Sequence, residues 1–162
     1  MRKIFLSSDH AGYKLKEQIK IHLDKKKIKY IDLGPFSDDK VDYPDYAHKV
    51  AKKVKTNNNS KVDYPDFAHK LAKKVKTSRN NVGILVCGSG TGMNIVANKH
   101  KNIRAAQCFN LKSTKLSRLH NDANIITLGS RLISKKNALS FIGVFLNTKF
   151  ESGRHSKRIG KI

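Results

Sequence analysis

Gly83-Ile84-Leu85-Val86-Cys87-Gly88-Ser89-Gly90-Thr91-Gly92 delivers a thiol, at the end of a short apolar strand, into a turn that holds three glycines in five residues. Closely spaced glycines let successive backbone N–H groups converge on one point. The residues that follow, Gly92 to Lys99, read as a helix whose free N-terminal amides and dipole favour negative charge. The run is thus a reactive group beside an anion cradle, and the same field favours thiolate over thiol at Cys87. A dinucleotide-binding fingerprint would need glycine where Met93 stands and an acidic residue near Lys112. A Walker-type phosphate loop would need Gly-Lys-Ser/Thr, and none follows. Taken alone, the run is equally compatible with a tight strand-to-helix turn around an inert, buried cysteine.

Working outward from this strand, the hydrophobic period switches repeatedly between two and 3.6. Lys3 to Ser8 reads as a strand, Tyr13 to Asp24 as a helix with Leu15, Ile19 and Leu23 on one face, and Lys29 to Gly34 as a second strand. After the strand Val82 to Cys87 come a helix over Gly92 to Lys99, a strand over Ile103 to Cys108 and a helix over Ser113 to His120. A strand over Ala123 to Leu128 and a helix over Lys135 to Lys149 complete the series. Five strands separated by helices require parallel crossovers, so the fold class is α/β, a three-layer αβα sandwich. The flavodoxin-like strand order 2-1-3-4-5 is the natural expectation and puts a ligand crevice outside the carboxyl ends of strands one and three. Those ends carry Asp9-His10 and Cys87-Gly88.

The 162 residues fit a single domain spanning 1–162, and 38% apolar content in regular segments argues against disorder. The amino-terminal stretch offers only Ile4-Phe5-Leu6 as an apolar run, no segment approaches membrane-spanning length, and neither a signal peptide nor a membrane partner is expected. The two cysteines, Cys87 and Cys108, both close strand-like runs, which favours reduced thiols and a cytoplasmic setting. A formal charge of +22 attracts anions of any kind, phosphorylated metabolites, nucleic acid or acidic lipid. Much of the lysine sits opposite apolar stripes, as at Lys14, Lys16, Lys20 and Lys25 to Lys27. Neither an obvious interleaving of aromatics with the basic residues nor an arginine-rich arm stands out, so nucleic acid is not the expected partner.

A tandem repeat interrupts the pattern. Lys40 to Thr56 recurs as Lys61 to Thr77 with only Tyr46/Phe67 and Val50/Leu71 differing, a period of 21 residues, so that units 40–60 and 61–81 are copies. Each reads as a helix entered at Pro44 or Pro65, with Ala47, Val50, Ala51 and Val54, or Ala68, Leu71, Ala72 and Val75, on its apolar face. Two copies are too few for a solenoid. One unit is surplus to the fold.

Three polar clusters lie late in the chain: Leu119-His120-Asn121-Asp122, Gly129-Ser130-Arg131, and Glu151-Ser152-Gly153-Arg154-His155-Ser156-Lys157-Arg158. Arg154 and Arg158 share one side of a helix or turn and suit bidentate grip of a phosphate. Singly, each cluster is equally a helix cap or solvated charge. Together with Ser8-Asp9-His10-Ala11-Gly12, Asp-Tyr-Pro-Asp, Cys87-Gly88-Ser89-Gly90-Thr91-Gly92 and Ser117-Arg118-Leu119-His120-Asn121-Asp122, they follow the order seen in one family. Nearly end to end, the sequence resembles the type B ribose-5-phosphate isomerases, a family that also includes galactose-6-phosphate isomerase subunits.

The resemblance implies reversible conversion of ribose 5-phosphate to ribulose 5-phosphate through an enediolate, with no metal or organic cofactor. By the same resemblance Cys87 moves the proton between C2 and C1, and the amides of Gly88, Ser89, Gly90, Thr91 and Gly92 hold the developing oxyanion. Some relatives carry a glutamate just after the glycine loop; Met93 stands there and takes no proton, which indicates the cysteine form. His120 is then implied in opening the furanose ring, Asn121 in holding the sugar and Asp9 in binding hydroxyls. His10, Arg131, Arg154 and Arg158 are implied in receiving the phosphate. A homodimer or homotetramer with shared active sites is implied as well. The family's spacing is kept by copy one counting forward from Asp32-Leu33-Gly34 and by copy two counting back from Cys87. Retaining copy one, with Asp42 and Tyr43 toward the substrate, disturbs the site least and is the expected arrangement. Two rivals stand beside this reading: isomerisation of another sugar phosphate such as galactose 6-phosphate, and a basic protein using the fold as a nucleic-acid platform.

Overall fold

The structure, a computed structural model, describes residues 2–36 and 63–162. Five strands, β1 (Ile4–Ser8), β2 (Ile31–Asp32), β3 (Val82–Cys87), β4 (Ala105–Gln107) and β5 (Ile125–Gly129), form one parallel sheet. Among the described residues six helices accompany them: α1 (Tyr13–Lys25), α2 (Tyr64–Val75), α3 (Thr91–Ala97), α4 (Leu111–Asn121), α5 (Lys135–Asn147) and α6 (Arg154–Ile159). The three-layer α/β architecture expected from the sequence is present.

Side-chain alternation along the inner strands sorts the core into its two faces. Ile4 and Leu6, Val82, Ile84 and Val86, and Ile126 and Leu128 point to one side, where they meet Leu15, Ile19 and Leu23 of α1 and Ala138, Phe141, Ile142 and Phe145 of α5. Phe5, Leu85, Cys87 and Ile125 point to the other, against Phe67, Ala68, Leu71, Ala72 and Val75 of α2 and Met93 and Ala97 of α3. Cys87 therefore leaves β3 on the α2–α3 side. No helix among the described residues is long and apolar enough to cross a membrane.

The strand order is 2-1-3-5-4, a correction to the expected 2-1-3-4-5. Composition explains it. Ile-Ile-Thr-Leu-Gly of β5 is buried throughout and suits an interior position covered on both faces, whereas Ala-Ala-Gln of β4 is short and half-buried, as an edge strand is. Two strands are also shorter than read. Ile103–Cys108 keeps only Ala105–Gln107, and Lys29–Gly34 keeps only Ile31–Asp32, because Gly34 departs into a left-handed conformation (φ 91°).

The repeat is described through its second copy. Copy two supplies the helix that packs on the sheet among the described residues. Asp63 caps it, its Oδ1 accepting the Tyr64 N–H at 2.8 Å, and Pro65 occupies the first turn. The two residues of Lys61 to Thr77 that differ from Lys40 to Thr56 both make close contacts. The Leu71 side chain fills the dent left by the missing side chain of Gly83, and the Phe67 ring lies 3.3 Å from where a methyl on Gly34 would stand. Valine is too short for the first position, and tyrosine would bring a hydroxyl to the second. Asp42, Tyr43 and the rest of copy one lie outside the described residues.

Candidate active site

The first half of the site is built where β1, β3 and β5 end side by side, with Ser8 opposite Val86 and Cys87 opposite Gly129 in the register. The Asp9 backbone N–H donates to Val86 O (3.1 Å), and its Oδ1 accepts the Gly12 N–H (2.8 Å), closing a tight turn into α1. A methyl on Gly12 would collide with the Val86 carbonyl, so only glycine allows β1's exit to lie this close to β3. Burial pushes the Asp9 carboxyl above its ordinary range, against the pull of the Gly12 and Ala11 N–H groups and of the His10 and Arg131 charges. His10 itself is exposed at the rim.

Cys87 is 5% exposed, and its Sγ accepts the Gly90 N–H at 3.0 Å. Gly90 makes that donation from a left-handed conformation (φ 84°) that also caps α3, so the turn points a backbone donor at the sulfur. The loop is packed from below and from both sides. A methyl on Gly129 would stand 2.5 Å from Ser89 O, and one on Gly92 would stand 2.7 Å from the Tyr64 ring. The Ser130 and Arg131 N–H groups donate to Cys87 O (2.8 Å) and Gly88 O (3.1 Å), and Ser130 Oγ donates to Ala11 O (2.8 Å). The Arg131 guanidinium lies over Gly88. Asp9, His10, Cys87, the loop Gly88–Gly92 and Arg131 thus form one cluster, as the crevice rule anticipates.

Two supports of this cluster were not anticipated. Gln107 Nε2 donates to Ser89 O (2.7 Å) and Thr91 Oγ1 (3.1 Å), tying the glycine loop to the edge strand. Its signal was present as the polar end of an otherwise apolar strand. Lys16 is wholly buried, and its Nζ bridges Glu17 Oε1 and Asp32 Oδ2, each at 2.8 Å. Asp32 also accepts the Gly34 N–H, and the Gly34 carbonyl in turn accepts Ser7 Oγ–H and the Ser8 N–H. A charge network under β2 thereby fixes the backbone that presents Asp9.

The remaining expected residues gather elsewhere. His120 and Asn121 end α4, just before β5 begins, and Arg104, just before β4, donates from Nε to Asn121 O (2.8 Å). They stand at the amino edge of the sheet, whereas Cys87 stands at the carboxyl edge. The intervening five-residue strand spans on the order of 13 Å at ~3.3 Å per residue. Arg154 and Arg158 lie on α6, which packs against α4. Between them the His155 ring is 4% exposed and stacks on His120, centroids 4.3 Å apart and planes within 9°. Glu151 Oε2 is 3.8 Å from His120 Nε2. Burial, with the neighbouring His120 and Arg154, holds His155 below the usual histidine range. His120, Glu151 and His155 offer ligand atoms within 4.8 Å of one another, but the parallel rings aim their lone pairs along parallel planes rather than at one point.

A family model described as Ribose/Galactose Isomerase matches residues 4–61 and again 53–162. The chain belongs to that family. Each of the two matches takes in one whole copy of the repeat, so the isomerase pattern is satisfied with either. Among curated relatives, the probable ribose-5-phosphate isomerase B of Mycoplasma pneumoniae is 39% identical, covering 98% of this chain and 91% of its own. Ribose-5-phosphate isomerase B of Escherichia coli K12 is 36% identical over 100% and 95%. Among solved structures, the ribose-5-phosphate isomerase B of Clostridium thermocellum superposes with a TM-score of 0.81 at 40% identity, covering 98% of this chain and 93% of that one. The Mycoplasma genitalium ribose-5-phosphate isomerase B, solved with bound ribulose-5-phosphate, gives 0.79 at 38% identity over 98% and 92%.

Proposed function

We propose that this ribose/galactose isomerase family member interconverts ribose 5-phosphate and ribulose 5-phosphate, with Cys87 as the base. The observation that carries the reading is the Gly90 N–H on the Cys87 sulfur inside a loop of convergent amides. The thiolate removes the C2 proton of the open-chain aldose, and the charge that develops on the C1 oxygen is met by the N–H groups of the Gly88–Gly92 loop. The proton on O2 passes to O1, and the new thiol returns its proton to C1, so no atom or electron is gained or lost. Asp9, with its raised affinity for a proton, holds a sugar hydroxyl, and His10 and Arg131 receive phosphate at the rim.

His120, Asn121, Arg154 and Arg158 complete the site from a neighbouring copy. One chain holds its two polar clusters at opposite sheet edges, and a dimer with the symmetry of paired, identical contacts sets the helix-end cluster of each protomer over the strand-end cluster of its partner. Exposed Ile95, Phe109, Leu111 and Leu132, on the helices and loops around the carboxyl edge, supply apolar surface for that contact.

The test follows ribose 5-phosphate in deuterated water. Wild-type protein is expected to turn over with solvent deuterium entering the product, Cys87→Ala to lose about 10³-fold or more in kcat, and Cys108→Ala, which alters a thiol facing the opposite layer, to stay within about threefold. Equal rates for wild type and Cys87→Ala would remove the proposed base.

A further inference from the structure

The geometry points to Glu151 as a positioning residue for ring opening, holding His120 by one ring nitrogen so that the other faces the sugar. The inference rests on the role given above to His120 and adds a residue that the isomerase reading does not assign.

Four observations converge on it. Glu151 is anchored to the helix that carries His120, its backbone N–H donating to Leu119 O at 3.0 Å. Its carboxylate approaches His120 at Nε2 (3.8 Å). Ser152 and Gly153 then both take positive φ, 67° and 58°, a sharp reversal that a non-glycine residue such as Ser152 adopts only at a cost. That reversal returns the chain so that His155, four residues after Glu151, lies flat on the same imidazole. His155 is buried, and its Nε2 has no hydrogen-bond partner; its ring acts here as a wall, and a wall fixes a plane without fixing rotation about it. The carboxylate supplies the missing constraint. With Nε2–H turned to Glu151, neutral His120 presents the unprotonated Nδ1, which accepts the anomeric hydroxyl proton as the ring C–O bond breaks and hands it to the ring oxygen.

Ring opening is needed for ribose 5-phosphate, which is cyclic, and not for ribulose 5-phosphate, which is already open. Loss of the carboxylate therefore separates the two directions. Glu151→Ala is expected to lower kcat from ribose 5-phosphate about 10- to 100-fold with KM within about threefold, while exchange of the C1 hydrogens of ribulose 5-phosphate with deuterated water stays within about threefold of wild type. Glu151→Gln, whose amide oxygen can take the carboxylate's place beside Nε2, is expected to restore most of the loss. Parallel decline of both rates, or no decline in either, would overturn the assignment. A readout independent of turnover is the nitrogen NMR shift of His120 in the assembled protein. Neutral His120 should be the Nε2–H tautomer in wild type and Glu151→Gln and a mixture in Glu151→Ala; an unchanged tautomer across the three would overturn it too. If wild type fails on ribose 5-phosphate, the substrate assignment falls, and the tautomer series still decides this one.

Discussion

The strand-end cluster and the helix-end cluster reach the same family signature by different physics. Around Cys87 the positions are set by backbone: parallel strands in register, glycines where nothing larger fits, and N–H groups donating to Asp9, to sulfur and to the loop carbonyls. Around His120 the positions are set by side chains on helix termini, one stacked ring and one carboxylate 3.8 Å from the imidazole. The first kind of site is as stiff as the sheet. The second lacks that frame, and under the proposed dimer a neighbouring copy packs over it.

The most severe test of this contrast mixes two inactive proteins. If the clusters serve one another across subunits, Cys87→Ala and His120→Ala chains, each inactive alone, regain turnover when co-assembled. Random pairing of equal amounts restores roughly a quarter of wild-type activity, because half the dimers carry one intact site of two. No recovery in verified mixed dimers would place both clusters in a single-chain site.

A smaller effect, on stability, probes the stiffness of the strand-end half. Asp32→Ala strips a carboxylate from wholly buried Lys16 and is expected to cost about 3 kcal/mol in chemical denaturation, whereas Lys16→Met, which removes the buried charge itself, costs far less. Burial opposes ionisation of Asp32, but the hydrogen bonds from Lys16 and Lys20 outweigh it and hold the carboxyl below its ordinary range. The folded form thus releases this proton more readily than the unfolded chain. Its stabilising contribution is complete above the unfolded carboxylate value of ~3.9 and disappears as pH falls through the depressed folded value. An acid-unfolding midpoint identical in wild type and Asp32→Asn would contradict this.

The smallest effect comes from the repeat, which walls the strand-end half through Tyr64. Deleting residues 40–60 is expected to leave stability and activity close to those of the full chain. Deleting 61–81 forces copy one into the same place. The exchange puts valine where Leu71 fills the dent at Gly83, tyrosine at the Phe67 position, and Ser60 for Asn81, whose amide donates to Lys74 O and Thr77 Oγ1 (both 3.1 Å). Thermal unfolding should show a loss of about 1–3 kcal/mol relative to the other deletion. Equal stability of the two would mean the differing residues do not select the copy.

These particulars also show what a sequence makes legible. Alternating periods disclosed the sandwich because each strand and helix has a face to bury, and the glycine loop announced itself because its backbone admits few other residues. The order of the last two strands was readable in principle: Ile-Ile-Thr-Leu is an interior run and Ala-Ala-Gln an edge one, a distinction that the alternation rule ignores. Gln107 and Lys16 were hidden, since a lone glutamine or a lysine in a lysine-rich helix acquires meaning only from partners distant along the chain. Residues 120 to 158 were visible as clusters, yet their proximity to one another owes to α6 folding back on α4, which local pattern does not encode. That Leu71 fills the space at Gly83 is likewise a three-dimensional fact, legible only once the helix is seated on the sheet.

The crowding at the glycine loop has an evolutionary reading. Gly90, Gly92 and Gly129 leave no volume for a side chain, while Ser89 is exposed and Thr91, also exposed, is held by Gln107. A lineage adapting this pocket to a longer or differently branched substrate would find those three glycines closed to change, so preference among sugars should be spelled at the exposed letter 89 while the crowded glycines stay silent.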